Sequence, residues 1–328
     1  MPTIINKTTQ ISPRTLLSPG HRGCAGCGQM VAARLVADAL GPNTIIANAT
    51  GCLEVVTTPY PQSSWGLPWI HSLFENAAAI ASGIRAALDY KEKNPPYPPL
   101  LKGAIKSPLP PFVKGGTQVV AQGGDGATFD IGFGLISGMW ERGENILYVC
   151  YDNEAYMNTG AQASAATPWA ANTTTTPAGT LPDINGMGSH FMKKDMLAMA
   201  VAHGLKYVAQ TTVAYPLDII KKVKKAAITA GPSYLQILVP CVPGWKIEPN
   251  QTMQLAKLAA LTGIYPAVEY INGQLAEVMK TPAKRPPVED YLKPQGRFKH
   301  LFKGERGQKQ IAYIQKLADE NVKKYNLI

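Results

Sequence analysis

Two groups of residues in this chain could do chemistry. The first is a set of cysteines. Cys24 and Cys27 form a C-x-x-C within GHRGCAGCG, Cys52 follows Thr50-Gly51, and Cys241 lies in Pro240-Cys241-Val242-Pro243. Four thiolates suit a [4Fe–4S] cluster or a tetrahedral zinc ion, and spacing alone leaves both open. The fifth cysteine, Cys150, sits inside the apolar run NILYVCY, where a thiol packs as a small hydrophobe. The second group is Gly123-Gly124-Asp125-Gly126. Glycines let the backbone approach phosphate oxygens, a helix N-terminus favours an anion, and the Asp125 carboxylate is a hard ligand suited to Mg²⁺. A Gly-Asp-Gly on its own also fits an ordinary turn.

The elements around these residues alternate. Helical spacing marks Gln29–Leu40, Asn76–Tyr90, Phe129–Arg142, Lys194–His203, Pro216–Ala230 and Gln308–Lys324. Strand-like runs cover Thr44–Ala47, Gln118–Gln122, Asn145–Tyr151, Tyr207–Ala209 and Tyr234–Val239. Continuous apolar runs such as NILYVCY and YLQILV read as strands buried on both faces. The predicted fold class is therefore α/β, a parallel sheet with helices on both faces. In such sheets ligands bind at the carboxyl ends of strands, where Cys52, Asp125, Asn153 and Cys241 all fall. We place an α/β domain at 1–250 and a basic C-terminal extension at 251–328, available for subunit contacts. The segment 94–117 holds seven prolines, which exclude a helix or a central strand, and is expected to be a surface insertion.

Composition narrows the classes. The net charge is +10, yet Lys280–Ile328 carries +7 of it and 94–117 the other +3, so the body of the chain is neutral. A nucleic-acid binder would carry its basic patch on the folded body, so none is expected as partner, and a solvated basic tail is the simpler reading. No apolar run reaches the ~18 residues of a membrane span. Met1–Pro19 lacks the apolar stretch of a secretory signal. A cytoplasmic chain with no membrane association and no structural disulfides is the expectation.

The Gly-Asp-Gly, followed at the next strand end by YDNEAYMNTG, resembles the thiamin diphosphate motif. That resemblance implies Mg²⁺ held by Asp125, Asn153 and the carbonyl of Ala155. More broadly, GHRGCAGCG, NATGCLEVVTTPYP, PWIHSLFENAAA, GGDGATFDIGFG, YDNEAYMNTGAQ and GPSYLQILVPC resemble the β subunit of the pyruvate:ferredoxin oxidoreductase family, from about Ser18 to Gly273. The resemblance implies oxidative decarboxylation of a 2-oxoacid with coenzyme A as co-substrate, the electrons passing to ferredoxin or flavodoxin. It implies a [4Fe–4S] cluster on Cys24, Cys27, Cys52 and Cys241. It implies contacts to thiamin diphosphate from Gln29, Cys52, Gly124, Asp125, Gly126, Ala127, Asn153, Glu154, Ala155, Tyr156, Met157 and Asn158, with Asn158 as the catalytic candidate. Several relatives carry Glu where this chain has Gln29, and many carry Thr where it has Asn153.

Thiamin catalysis also needs a glutamate on the aminopyrimidine. Glu54, Glu75 and Glu154 lie in no recognisable pyrimidine-binding domain. The resemblance accordingly implies an α subunit with that domain, and γ/δ-type subunits, in one hetero-oligomer. His21, His71 and His190, with Trp65 and Trp69, read as packing or loop residues. Two other chemistries stay in view: the same reaction on 2-oxoisovalerate or 2-oxoglutarate, and a non-redox thiamin enzyme with structural zinc.

Overall fold

The computed structural model describes residues 16–93, 116–179 and 186–328. Along the chain run α1 (Gly28–Leu40), β1 (Thr44–Asn48), α2 (Cys52–Thr57), β2 (Trp69–His71), α3 (Ala77–Lys93), β3 (Gln118–Gly124), α4 (Phe133–Glu141) and β4 (Leu147–Asp152). There follow α5 (Met196–Ala202), β5 (Tyr207–Thr212), α6 (Pro216–Ile228), β6 (Ser233–Leu238), α7 (Val242–Trp245) and α8 (Thr252–Leu261). The last elements are β7 (Val268–Ile271), β8 (Gln274–Val278), α9 (Val288–Leu292) and α10 (Gly304–Tyr325).

The strands form one sheet in the order β2-β1-β3-β4-β6-β5-β7-β8. All pairs from β2 to β5 are parallel, and β7 and β8 add an antiparallel edge. Every residue of β4 and β6 is buried, which is why both read as unbroken apolar runs. One face packs Ala81, Phe129, Trp140 and Tyr148 under α3 and α4, and the other packs Val36, Leu147, Tyr151 and Val223 under α1 and α6. The expected α/β class, a parallel sheet covered on both sides, is what the chain adopts.

Differences from the sequence reading have physical causes. The helix expected from Phe129 begins instead as a π-turn over Gly126–Ile131. A Cβ on Gly132 would meet the Ala127 carbonyl at 2.3 Å, so only glycine lets the chain close this wide turn before α4 starts. The solvated basic tail is not found. Val288, Tyr291, Leu292, Phe298, Leu301, Ile311 and Ile314 form a third buried cluster with Trp245 and Leu255. Helix α10 is amphipathic, burying Ile311, Ile314, Ala318, Val322 and Tyr325 while its lysines face outward. Except for its last two residues, the expected proline-rich insertion at 94–117 lies outside the described residues.

Candidate functional site

Four neighbouring strands, β1, β3, β4 and β6, end side by side, and each delivers one residue of interest. Cys52 opens α2 just after β1, Asp125 follows β3, Asn153 follows β4, and Cys241 follows β6 by three residues. Register places Gly124 of β3 opposite Tyr151 of β4, so Asp125 and Asn153 meet directly. The Asn153 backbone N–H donates to Asp125 Oδ1 at 3.2 Å, and Ser164 Oγ donates to Asp125 Oδ2. With the Asn153 amide turned so that its nitrogen faces this point, the side chain donates to Asp125 Oδ1 at 2.9 Å and to the Ala155 carbonyl at 2.7 Å. Turning the amide over presents its oxygen to the same point. Asp125, Asn153 and the Ala155 carbonyl are thus gathered around one position.

That position suits a divalent cation. Asp125 is fully buried, and burial, reinforced by the Asp152 carboxylate, pushes its pKa well above the ordinary carboxylate value. A buried carboxylate of this kind is costly unless a positive charge compensates it. Three oxygen donors at one point fit Mg²⁺, which takes a few protein ligands and completes its shell with phosphate and water.

The Gly123–Ala127 segment, Asn48 to Leu53, Phe74, Gln29 and the loop from Asn153 through Thr159 line a narrow cleft over this point. Every residue expected to contact the diphosphate cofactor lines it except Glu154. The Glu154 side chain points the other way, because a left-handed backbone (φ 69°) turns it into the interior. There its carboxylate takes Lys193 Nζ at 3.0 Å and Arg297 Nη2 at 2.7 Å. Those two cations hold it ionised against its burial, keeping its pKa below the ordinary value. The Glu154 side chain is thus a buried anion between two cations and does not face the cleft.

Beside the cleft lies a cavity of about 230 Å³ lined by Cys24, Cys27, Cys52 and Cys241. Two of its loops are tied together: Gly28 N–H donates to the Pro240 carbonyl at 3.4 Å, and Thr252 Oγ1 to the Gly26 carbonyl at 2.6 Å. Gly26 is left-handed (φ 73°) and its Cα faces Pro249, leaving no room for a Cβ. Burial first, then the neighbouring thiols, pushes Cys52 up to about 11. Cys241 is pushed up to about 12, again by burial first and in part by the other three thiols. The four sulfurs therefore share one field, and a group of high positive charge is what would draw them into the thiolate form. They line a wall rather than close on one point, and no three metal-binding side chains among the described residues enclose a single ion. Cys150 is fully buried in the sheet, away from this cavity.

Gln29, Cys52, Asn153, Met157 and Asn158 line both the cleft and the cysteine cavity. They form the wall between the two. Gln29 reaches it from the first turn of α1 and is buried.

Sequence reasoning missed the residues that hold this arrangement from behind: Ser164, Lys193, Trp245 and Arg297. None lies within a recognisable motif, and each meets its partner across a long stretch of chain. Of the remaining candidates, Trp65 is buried, Trp69 is half-buried, and His71 and His190 are exposed. Trp65 and Trp69 stack at 6.0 Å, Trp69 and His71 at 5.6 Å, and His71 lies 3.6 Å from Glu54. His190 lies against Phe191.

The cleft is tight enough to make a mutational forecast. A Cβ on Gly126 would lie 2.4 Å from Tyr156 Cε1. The ring would have to leave its place over the turn, an overpacking cost of about 1–3 kcal/mol. Gly126→Ala is expected to lower the melting temperature and to weaken binding of thiamin diphosphate with Mg²⁺, both read by thermal unfolding with and without those ligands.

Residues 49–237 match the thiamine pyrophosphate enzyme, C-terminal TPP binding domain. The chain is 47% identical to the pyruvate synthase subunit PorB of Methanosarcina barkeri, over 97% of this chain and 99% of that protein. It is 49% identical to the PorB subunit of Methanocaldococcus jannaschii, over 93% of this chain and 95% of that protein. Its fold is similar to a solved 2-oxoglutarate:ferredoxin oxidoreductase from Magnetococcus marinus, with a TM-score of 0.53 at 22% identity, covering 77% of this chain and 82% of that one.

Proposed function

The chain belongs to the PorB family of pyruvate synthase subunits and carries its thiamine pyrophosphate-binding domain, and from that premise we propose a two-cofactor half-site. Asp125, Asn153 and the Ala155 carbonyl would hold Mg²⁺ and through it thiamin diphosphate. Cys24, Cys27, Cys52 and Cys241 would hold one [4Fe–4S] cluster. With partner subunits the chain would convert pyruvate and coenzyme A to acetyl-CoA and CO₂, two electrons leaving singly for ferredoxin or flavodoxin. Thiamin diphosphate supplies an electron sink for carbon–carbon cleavage, and the cluster a one-electron acceptor beside it.

The observation that carries this reading is the shared wall. Cys52 lines both cavities, so a single residue would touch cofactor and cluster together. The chain's own residues have distinct tasks. The small residues Gly123, Gly124 and Gly126 leave the backbone open to phosphate oxygens. Met157 lines both cavities and forms part of the wall between them. Asn158 lines both spaces, and its amide would orient a substrate oxygen or stabilise charge developing on it.

No glutamate among the described residues lines the cleft. Glu154 is committed to Lys193 and Arg297, and Glu54 faces His71. The glutamate for the aminopyrimidine would therefore come from an α subunit closing over the cleft, with γ/δ-type subunits carrying electrons onward. No helix among the described residues is long and apolar enough to cross a membrane, and we place the assembly in the cytoplasm.

The test is assay of the purified chain alone against the assembled complex. The chain alone is expected to bind thiamin diphosphate weakly and to reduce no ferredoxin with pyruvate and coenzyme A. Turnover by the isolated chain would overturn the shared active site. Competition among pyruvate, 2-oxoisovalerate and 2-oxoglutarate in the complex is expected to favour pyruvate.

A further inference from the structure

Behind the two cavities runs a buried chain of contacts that joins the loop after β4 to the loop after β6. Arg297 belongs to the short 3-10 segment Gly296–Phe302 and is 2% exposed. Its Nη2 meets Glu154 Oε2 at 2.7 Å, and its guanidinium stacks at 3.8 Å over the ring of Trp245. Trp245 Nε1 in turn donates to the Asn153 carbonyl at 2.8 Å. The Trp245 backbone N–H donates to the Cys241 carbonyl at 2.8 Å, closing the turn that begins at that cysteine. One guanidinium thus grips Glu154, which sits between Asn153 and Ala155, and the indole anchored to Cys241.

The grip is built with care on the Arg297 side. Its Nε donates to Gln295 Oε1 at 2.8 Å, and Nη2 also lies 3.3 Å from the Tyr291 hydroxyl. Its carbonyl accepts from Asn172 N–H at 2.9 Å, and Gly296 N–H donates to the Lys246 carbonyl at 3.2 Å. Glu154 would not choose its left-handed backbone unaided, since a Cβ disfavours it. The ion pair with Arg297 and the one with Lys193, which also reaches Asp152 at 2.6 Å, hold it there. The two front loops touch as well: a Cβ on Gly244 would meet Met157 Sδ at 2.0 Å and Cys241 Sγ at 3.2 Å. A shift of either loop is therefore felt by the other.

We propose that Arg297 is a positioning residue that locks the proposed cation loop and the proposed fourth-cysteine loop into one rigid unit, setting the placement of the two cofactors relative to each other. Arginine suits the task where lysine does not. Its planar fork bonds a carboxylate and stacks on an aromatic face at once. The C-terminal segment would then be part of the site's architecture, reaching it from 143 residues beyond Glu154. This inference rests on the assignment of Asn153 and Ala155 to the cation and of Cys241 to the cluster.

The experiment compares the full chain, expressed with its partner subunits, carrying Arg297→Gln, Arg297→Lys, Trp245→Phe, Arg285→Gln or Asp125→Asn. Two readouts are the Mg²⁺-dependent affinity for thiamin diphosphate, followed by tryptophan fluorescence, and the electron paramagnetic resonance spectrum of the reduced chain's cluster. Arg297→Gln is expected to weaken the cofactor about 10- to 100-fold, as loss of a ligand-orienting partner does, and to alter the cluster spectrum. Arg297→Lys should recover only part of this. Arg285, which pairs with Asp319 in the same C-terminal region, is the packing control, and Arg285→Gln should leave both readouts unchanged. Wild-type affinity and spectrum in Arg297→Gln, or equal losses in Arg285→Gln, would overturn the proposal. If Arg297→Gln does not fold, Trp245→Phe decides, since it keeps the ring but removes the bond to Asn153: weakening supports the lock and wild-type affinity refutes it. Asp125→Asn separates the two levels, because undiminished Mg²⁺-dependent binding there would sink the site assignment itself.

Discussion

Asp125→Asn is expected to abolish Mg²⁺-dependent binding of thiamin diphosphate and the activity of the assembled enzyme while leaving the apoprotein folded. The change is isosteric. An asparagine can still accept from the Asn153 N–H and keep its contact with Ser164. What is lost is the only charge among the three proposed ligands, Asp125, Asn153 and the Ala155 carbonyl. Removing a partner that merely orients a ligand costs about 10- to 100-fold in metal affinity, so removing the charged ligand should cost more. Stability without ligand should hold or rise, because a fully buried carboxylate no longer faces the equally buried Asp152. Isothermal titration with Mg²⁺ and thiamin diphosphate, paired with thermal unfolding of the apoprotein, reads both effects. A large fall in apoprotein stability with binding intact would contradict a cation role for Asp125.

The second large effect concerns the cysteines. Cys241→Ser is expected to lose most of the visible absorbance of the anaerobically purified chain, because a serine oxygen is a poor ligand for the soft iron of a cluster. Cys150→Ser is expected to keep it. Cys150 lies within β4, fully buried among Tyr148, Tyr234 and the sheet, whereas Cys241 shares a cavity with Cys24, Cys27 and Cys52. Absorbance lost in Cys150→Ser and kept in Cys241→Ser would reverse the choice of fourth ligand.

Particular residues show how far the sequence could be read. β4 and β6 were legible because strands buried on both faces are written as unbroken apolar runs. Their carboxyl ends followed from the parallel topology, and with them the meeting of Asp125 and Asn153. The glycine-rich turn was legible as a turn but not as a π-turn, since the crowding of Gly132 against the Ala127 carbonyl is a tertiary fact. Helix α2 escaped notice because Cys52–Thr57 is too short to show a period, and β2 is only Trp69–His71. The C-terminal region misled most. Its charge suggested a solvated tail, yet the lysines of α10 lie on its outer face, and the apolar residues that pack it recur at helical spacing beneath them. Arg297 could not be singled out from the chain at all. Its partner Glu154 lies in a different element, and no local pattern distinguishes a buried guanidinium from the other basic residues around it.

In the proposed arrangement one chain places a thiamin diphosphate site and a four-thiolate cluster on either side of Cys52. Metal analysis of the chain purified without oxygen, and separated from any other iron-binding subunit, tests it most directly. About four iron and four acid-labile sulfide per chain are predicted, with zinc near zero and the iron lost in Cys52→Ser. One zinc per chain, no iron, and a colourless protein would contradict it.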